Sequence, residues 1–142
     1  MSADLRTYLE QAEREGLVDR VRESLPPTES LARCLHRAGE RIVVCERVRG
    51  YRTPVVGGIV GSRALLSRTL GTSAGELVRT IAAALDAVRP YRTVRAAPFL
   101  AHVVKKPDLG RIIPIVRFYP EKRRRFLTGT IVVVKTRSGM NL

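Results

Sequence analysis

The sequence predicts a mixed α/β (α+β) domain with three to four helices and five or six strands. Three observations predict it. Apolar residues recur at helical spacing near the start, where Leu5, Tyr8, Leu9 and Ala12 share one face. Short β-branched runs, Ile42-Val43-Val44 and Ile131-Val132-Val133-Val134, are strand-sized rather than helix-sized. Gly16, Gly39 and Pro90 stand as stops where the helical patterns end.

The first helix spans residues 3–15 and stops at Gly16, a residue that tolerates the left-handed backbone of a helix end. Leu17 to Val21 reads as a short strand. Pro26-Pro27-Thr28 leads into a helix over 29–38, with Thr28 at the N-cap, Leu31 and Leu35 facing inward, and Gly39 as the stop. Ile42 to Cys45, within Arg41 to Arg47, forms a buried strand, and Arg49-Gly50-Tyr51-Arg52 forms a turn. The next strand runs from Pro54 to Val60, with Gly57-Gly58 marking a bulge or a close backbone approach. Ser62 caps a short helix over 63–69. Ser73 and Glu76 form a capping box before a helix over 74–88, whose core stripe is Leu77, Ile81, Ala84 and Leu85. Pro90 closes that helix. Pro98 to Lys106 and Ile112 to Tyr119 read as extended segments separated by a turn at Pro107-Asp108. Phe126 to Lys135 is the strongest strand, and Arg137 to Asn141 a hairpin turn. The strand that should return from that turn is not in the sequence, so Phe126 to Lys135 is expected to be an interface element.

A chain of 142 residues is one domain's worth of core. An apolar share of 44% excludes whole-chain disorder. No stretch approaches the roughly 20 apolar residues of a membrane span. The charged, amphipathic start has no signal-peptide core. A cytoplasmic protein with no membrane partner is expected. The formal net charge is +13, but residues 1–46 carry 7 basic and 9 acidic side chains, whereas residues 47–142 carry 19 and 4. Arg supplies 22 of the 26 positive charges. Such a field attracts a polyanion, a phosphorylated ligand or an acidic partner surface. Cys34 and Cys45 are too few for a disulfide framework, and small buried apolar roles suit them best. His36 and His102 show no metal-ligand spacing.

Few motifs carry chemistry. Gly57-Gly58-x-x-Gly61-Ser62 reads as a strand-to-helix turn, with a phosphate cradle as the alternative. Lys122-Arg123-Arg124-Arg125 is a solvated loop, an anionic-partner or cofactor-phosphate surface or, least favoured, a nucleic-acid grip flanked by Phe118, Tyr119 and Phe126. Glu76, Asp86 and Glu121 show no paired-carboxylate spacing. Composition and periodicity alone therefore yield no reaction.

The order of motifs resembles the N-terminal part of the UbiD-type decarboxylases. Asp4-Leu5-Arg6-Thr7-Tyr8-Leu9 followed by Leu17-Val18-Asp19-Arg20-Val21 is similar to the family's opening helix and strand. Val44-Cys45-Glu46-Arg47-Val48-Arg49-Gly50-Tyr51, then Pro54 to Arg63, resembles its most specific block, although the family's usual asparagine is Gly58 here. Asp108-Leu109 with Ile113-Pro114-Ile115, and Phe126 to Lys135 with Gly139-Met140-Asn141, complete the likeness. The turn before Asn141 is shorter than the family's and lacks its acidic residue.

The resemblance implies a UbiD-like α/β domain over 1–106. It also implies that 107–142 begins a split-barrel, flavin-binding-like cofactor domain and leaves it incomplete. Family members decarboxylate aromatic or α,β-unsaturated acids with prenylated FMN, Mn2+ or Mg2+, and K+. Asn141 matches the family's asparagine at the metal and flavin phosphate, and so is the expected cofactor-binding and metal residue. The family's acid–base glutamates and arginine, and its metal-binding histidine and glutamate, have no counterpart up to Leu142. No catalytic residue is therefore expected. The resulting expectation is a small, non-catalytic subunit or N-terminal portion of a UbiD-like carboxy-lyase, with cofactor held only in the complete assembly. A larger catalytic subunit would be its partner, in a homo- or hetero-oligomer. The alternative is a stand-alone basic protein that binds an anionic partner through Lys122, Arg123, Arg124 and Arg125.

Overall fold

A β-branched strand paired on both edges is the centre of the computed structural model, which describes residues 4–87, 94–97, 101–119, 121 and 127. The elements follow the order α1 (Leu5–Arg14), β1 (Val18–Leu25), α2 (Glu29–His36), β2 (Ile42–Val48), β3 (Val55–Gly57), α3 (Arg63–Thr69), α4 (Leu77–Asp86) and α5 (Leu109–Ile112). The three strands form one mixed sheet in the order β1-β2-β3, with β1 parallel and β3 antiparallel to β2. This is the mixed α/β class that the sequence predicts.

β2 sits in the middle because both of its faces are apolar. Ile42, Val43, Val44 and Cys45 are all buried, and successive side chains point to opposite sides of a strand. On one side Ile42 packs with Tyr8 and Ala12 of α1 and Leu65 of α3. On the other, Val43 and Cys45 pack with Leu31 of α2, Ala38 and Val48. A run without polar alternation is what a strand covered by helices on both faces requires.

The helix starts follow their caps. Thr7 N–H donates to Asp4 Oδ1 (3.0 Å) at the start of α1, and Leu65 N–H donates to Ser62 Oγ (3.2 Å) at the start of α3. Gly16 ends the first helical stretch with φ at +69°. Thr28 occupies the predicted N-cap of α2, but its side chain makes no cap bond.

Several expectations change. β1 extends to Leu25, past the predicted Val21, because a register shift between Val21 and Ser24 absorbs the charged Arg22-Glu23 pair at the sheet edge. β3 contracts to three residues, because at Gly58 the backbone turns to φ +78°. Leu5, assigned inward, is half exposed at the first turn of α1. α4 starts at Leu77 rather than residue 74. Ser73 Oγ does accept from Glu76 N–H (3.2 Å), but the Glu76 carboxylate pairs with Arg79 instead of closing the capping box. The predicted core stripe of α4 reduces to Leu77; Ile81 is 40% and Leu85 71% exposed, and Ala84 is also exposed.

Beyond α4 the described residues form no strand. The stretch 101–106 carries no sheet hydrogen bond, and Leu109–Ile112 forms a single helical turn between the predicted Pro107-Asp108 turn and the extended segment predicted from Ile112. This stretch is tied back at two points. Tyr51 Oη donates to Gly110 O (2.6 Å), and Arg117 N–H donates to Pro27 O (3.1 Å). Three strands and five helices are thus present among the described residues. The predicted strand Phe126 to Lys135 and the turn through Asn141 lie outside them.

Candidate functional site

Asn141 and the basic run Lys122, Arg123, Arg124, Arg125 lie outside the described residues. Among those described, no group of three or more His, Cys, Asp or Glu is placed to hold a metal ion.

The glycine-rich stretch 57–62 has a clear packing role. A Cβ at Gly57 would lie 2.8 Å from Leu35 Cδ2, and one at Gly58 would lie 2.6 Å from the Arg41 carbonyl oxygen. What comes close to this backbone is Leu35 of α2 and the connection from α2 to β2, not an open cradle. The hydroxyl of Ser62 already accepts the Leu65 N–H of the seven-residue α3. These contacts are those of a strand-to-helix turn.

The acidic first third acts as an internal counterion set. Arg20 donates to Glu13 (Nη2 to Oε2, 2.7 Å) and to Glu46 (3.1 Å), linking α1, β1 and β2. Arg41 makes a two-pronged bond to Asp19 (2.7 and 2.8 Å). Glu15 pairs with Arg68 of α3, and Glu29 pairs with Arg117 at 2.8 Å. Two of the four arginines so paired, Arg68 and Arg117, belong to the later, basic part. Hydrogen bonds from Arg20 and Arg41 hold the Glu13 and Asp19 carboxyls below the usual carboxylate range. A backbone hydrogen bond from Thr7 lowers Asp4, and a backbone N–H lowers Glu29. Every carboxyl with a displaced acidity is held ionised, the opposite of what a general acid at neutral pH needs.

Cys34 and Cys45 are free thiols whose sulfurs approach to 3.8 Å across the α2–β2 contact. Burial, then the Cys34 contact, pushes the Cys45 thiol up to about 12. Cys45 is fully buried, as expected for a small core residue; Cys34 is only half-buried.

Open grooves border this framework among the described residues, three of them as follows. One, of about 450 Å3, runs between β1 and α2 and includes Asp19, Ser30, Arg33, Cys34 and Arg37. A second, of about 490 Å3, lies between α2 and the later chain, with Arg33, His36, Phe118 and Tyr119 on its walls. The third, about 230 Å3, is lined by Leu5, Tyr8, Ile59 and Thr69. Sequence reasoning named Phe118 and Tyr119 only as neighbours of the basic run. Their meeting with Arg33 and His36 had no local signal, since it depends on the Arg117–Pro27 and Arg117–Glu29 contacts. No described helix is long and apolar enough to cross a membrane.

Residues 9–85 match the family described as the 3-octaprenyl-4-hydroxybenzoate carboxy-lyase N-terminal domain. No curated protein sequence matches the chain. Among solved structures, it is similar to the UbiD-class enzyme HmfF from Pelotomaculum thermopropionicum in complex with FMN. That likeness has a TM-score of 0.86 at 28% identity and covers 96% of this chain but 32% of the enzyme. An evolved dimeric form of that enzyme in complex with prFMN matches equally, at 0.86 and 28%, over 96% of this chain and 33% of the other. The vanillic acid decarboxylase ShVdcCD of Sedimentibacter hydroxybenzoicus in open form matches at TM-score 0.66 and 26% identity, over 82% of this chain and 28% of that one. The chain thus spans about a third of the length of the solved structures it resembles.

Proposed function

The chain belongs to the UbiD N-terminal domain family, and from that premise we propose that it is a small, non-catalytic subunit or N-terminal portion of a UbiD-like carboxy-lyase. The observation that carries this reading is the lopsided overlap with HmfF, 96% of this chain against 32% of the enzyme. A domain that overlays so fully on a third of an enzyme leaves the remaining two thirds to be supplied by further polypeptide.

In this reading the complete assembly decarboxylates aromatic or α,β-unsaturated acids with prenylated FMN, Mn2+ or Mg2+, and K+. The contribution of this chain to that centre is Asn141, whose amide oxygen suits a hard cation beside a phosphate. Lys122, Arg123, Arg124 and Arg125 provide the surface for an anionic partner or the cofactor phosphate. Large apolar side chains exposed on α4 and after it, Val78, Leu85, Val103 and Phe118 among them, are what a docking face of an incomplete enzyme displays.

The test is co-expression with a chain carrying the remainder of a UbiD-like enzyme, followed by size-exclusion chromatography and a CO2-release assay. A co-eluting, flavin-coloured complex that decarboxylates, beside an inert isolated chain, is the expected result. Asn141→Ala should lower cofactor and metal retention in that complex about tenfold, the loss of about 1.4 kcal/mol of ligation. Turnover by this chain alone, reconstituted with prenylated FMN, Mn2+ and K+, would overturn the proposal.

A further inference from the structure

We propose that Cys34 and Cys45 are a thiol-modification site, closing reversibly to an intramolecular disulfide by exchange with an anionic low-molecular-mass disulfide. Geometry carries this, independently of the carboxy-lyase reading. The two sulfurs are 3.8 Å apart, and the Cys45 thiol donates its weak hydrogen bond to Cys34 Sγ. A disulfide bond is about 2.05 Å long, so an approach of roughly 1.8 Å closes it. The residues belong to different elements, α2 and β2, and face each other across one apolar contact. A bond between them ties the helix to the central strand.

The surroundings divide the labour between the two thiols. Cys45 has no exposed surface, so an external reagent does not reach it. Cys34 is half-buried and lines the groove between β1 and α2. Arg33 and Arg37 line the same groove. Asp19, also in its wall, is neutralised by Arg41, which leaves Arg33, Arg37 and Glu23 as the other charged residues lining the groove. An anionic disulfide is therefore favoured over a cationic one.

The chemistry balances without a further reactant. Cys34, as its thiolate, attacks one sulfur of the small disulfide; the Cys34–S bond forms, the small S–S bond breaks, and one thiol leaves with the proton that Cys34 gave up. Cys45 then releases its proton, and its sulfur attacks Cys34 Sγ. The bond from Cys34 to the small molecule breaks, and the second small thiol leaves protonated. The protein dithiol loses two electrons and two protons, and one small disulfide becomes two thiols.

The test uses the whole chain, oxidised glutathione as the anionic probe and cystamine as the cationic one, read by intact mass, peptide mapping and thermal melting. The expected product has lost two hydrogens, carries no glutathione, yields a Cys34–Cys45 cross-linked peptide, and returns to the dithiol with dithiothreitol. Its melting temperature should rise by roughly 5–10 °C, the effect of closing a loop of about a dozen residues in a domain of this size. Oxidised glutathione should react faster than cystamine at low salt. In Cys45→Ser the reaction should stop at one glutathione on Cys34, and in Cys34→Ser nothing should attach. If Cys45→Ser does not fold, the cross-linked peptide from the unaltered chain decides alone. Two glutathione adducts, a single stable adduct on the unaltered chain, a dimer joined by disulfide, or no reaction at all would each overturn the proposal.

Discussion

Residues 4–77 and residues 78–119 place their apolar side chains in opposite ways. The 12 buried aliphatic, aromatic and cysteine residues of the described chain fall in the first region, from Tyr8 to Leu77, while the second contributes the buried Pro114 and Val116, half-buried against the β2 core. Large apolar side chains that stay exposed number two there, Leu5 and Val60, and eleven in the second region, from Val78 to Tyr119. The contrast does not come from hydropathy, since α4 is the more apolar helix and α1 the more polar one. It comes from what each can face. α1, α2 and α3 each have a side of β2 to cover, and the second region has no strand of its own among the described residues. Apolar side chains that no described layer covers are the surface that the proposed assembly would use.

The sharpest way to break this contrast is to remove side chains from each region and compare. Ile42→Ala empties a fully buried position between α1, α3 and the sheet and should cost about 2–5 kcal/mol, as buried large-to-small changes do. Ile112→Ala, at a position 42% exposed, should stay within about 0.5 kcal/mol. Urea unfolding of both variants checks the pair. Equal costs would erase the boundary between the regions.

Gly58→Ala probes the first region's backbone. The new Cβ meets the Arg41 carbonyl oxygen at 2.6 Å, and the backbone stands at φ +78°. Left-handed strain and overlap together should cost about 2–4 kcal/mol. Gly71→Ala has a similar φ of +69° but open space around its Cβ, so it should cost only the strain, about 1 kcal/mol. The difference in urea midpoints isolates the packing part. If the two variants melt alike, the close approach of Gly58 to the backbone near Arg41 contributes nothing.

These cases mark how much the residues revealed in advance. The helices over α1, α2 and α3, the central strand and the cap at Ser62 were legible, because periodicity, β-branching and capping are local and packing agreed with them. The close approach at Gly57-Gly58 was legible as a position but not by partner; Leu35 and Arg41 come from more than fifteen residues away. α4 misled because its Leu77, Ile81, Ala84 and Leu85 have core spacing, and spacing does not say whether anything lies opposite. β1 outran its predicted end because pairing with β2 carried charged residues into a strand. Of the candidate site, the resemblance to UbiD-type decarboxylases was legible in ordered motifs. The counterion network and the groove between α2 and Phe118-Tyr119 were not, since ion pairs such as Glu15–Arg68 and Glu29–Arg117 join distant segments.

Capping offers a finer comparison within the first region. Ser62→Ala removes a bonded cap and should cost about 1 kcal/mol. Thr28→Ala removes a side chain that makes no cap bond at the same kind of position, so its cost should be a few tenths at most, from propensity alone. Denaturant midpoints measured side by side decide it. A Thr28 cost as large as that of Ser62 would mean that the α2 cap is made in solution.

The smallest expected effect bears most directly on the second region. Leu85 is 71% exposed near the end of α4, and Val78, two turns back on the same helical face at i−7, is 63% exposed. A charge at an exposed helix position normally changes stability by no more than about 0.5 kcal/mol. Leu85→Asp should therefore leave the urea midpoint of the isolated chain almost unchanged. A buried, unpaired carboxylate would instead cost several kcal/mol or resist ionisation. The same variant should behave differently once the proposed assembly forms. A carboxylate placed in the middle of an apolar contact must be desolvated there, so the complex should weaken while the chain itself stays folded. Comparing the urea midpoint with co-elution on size-exclusion chromatography separates the possibilities. A large loss of stability in the isolated chain would place Leu85 in a core this fold does not otherwise have. Unchanged stability with unchanged assembly would take α4 out of the interface and leave the apolar residues of 101–119 to provide it.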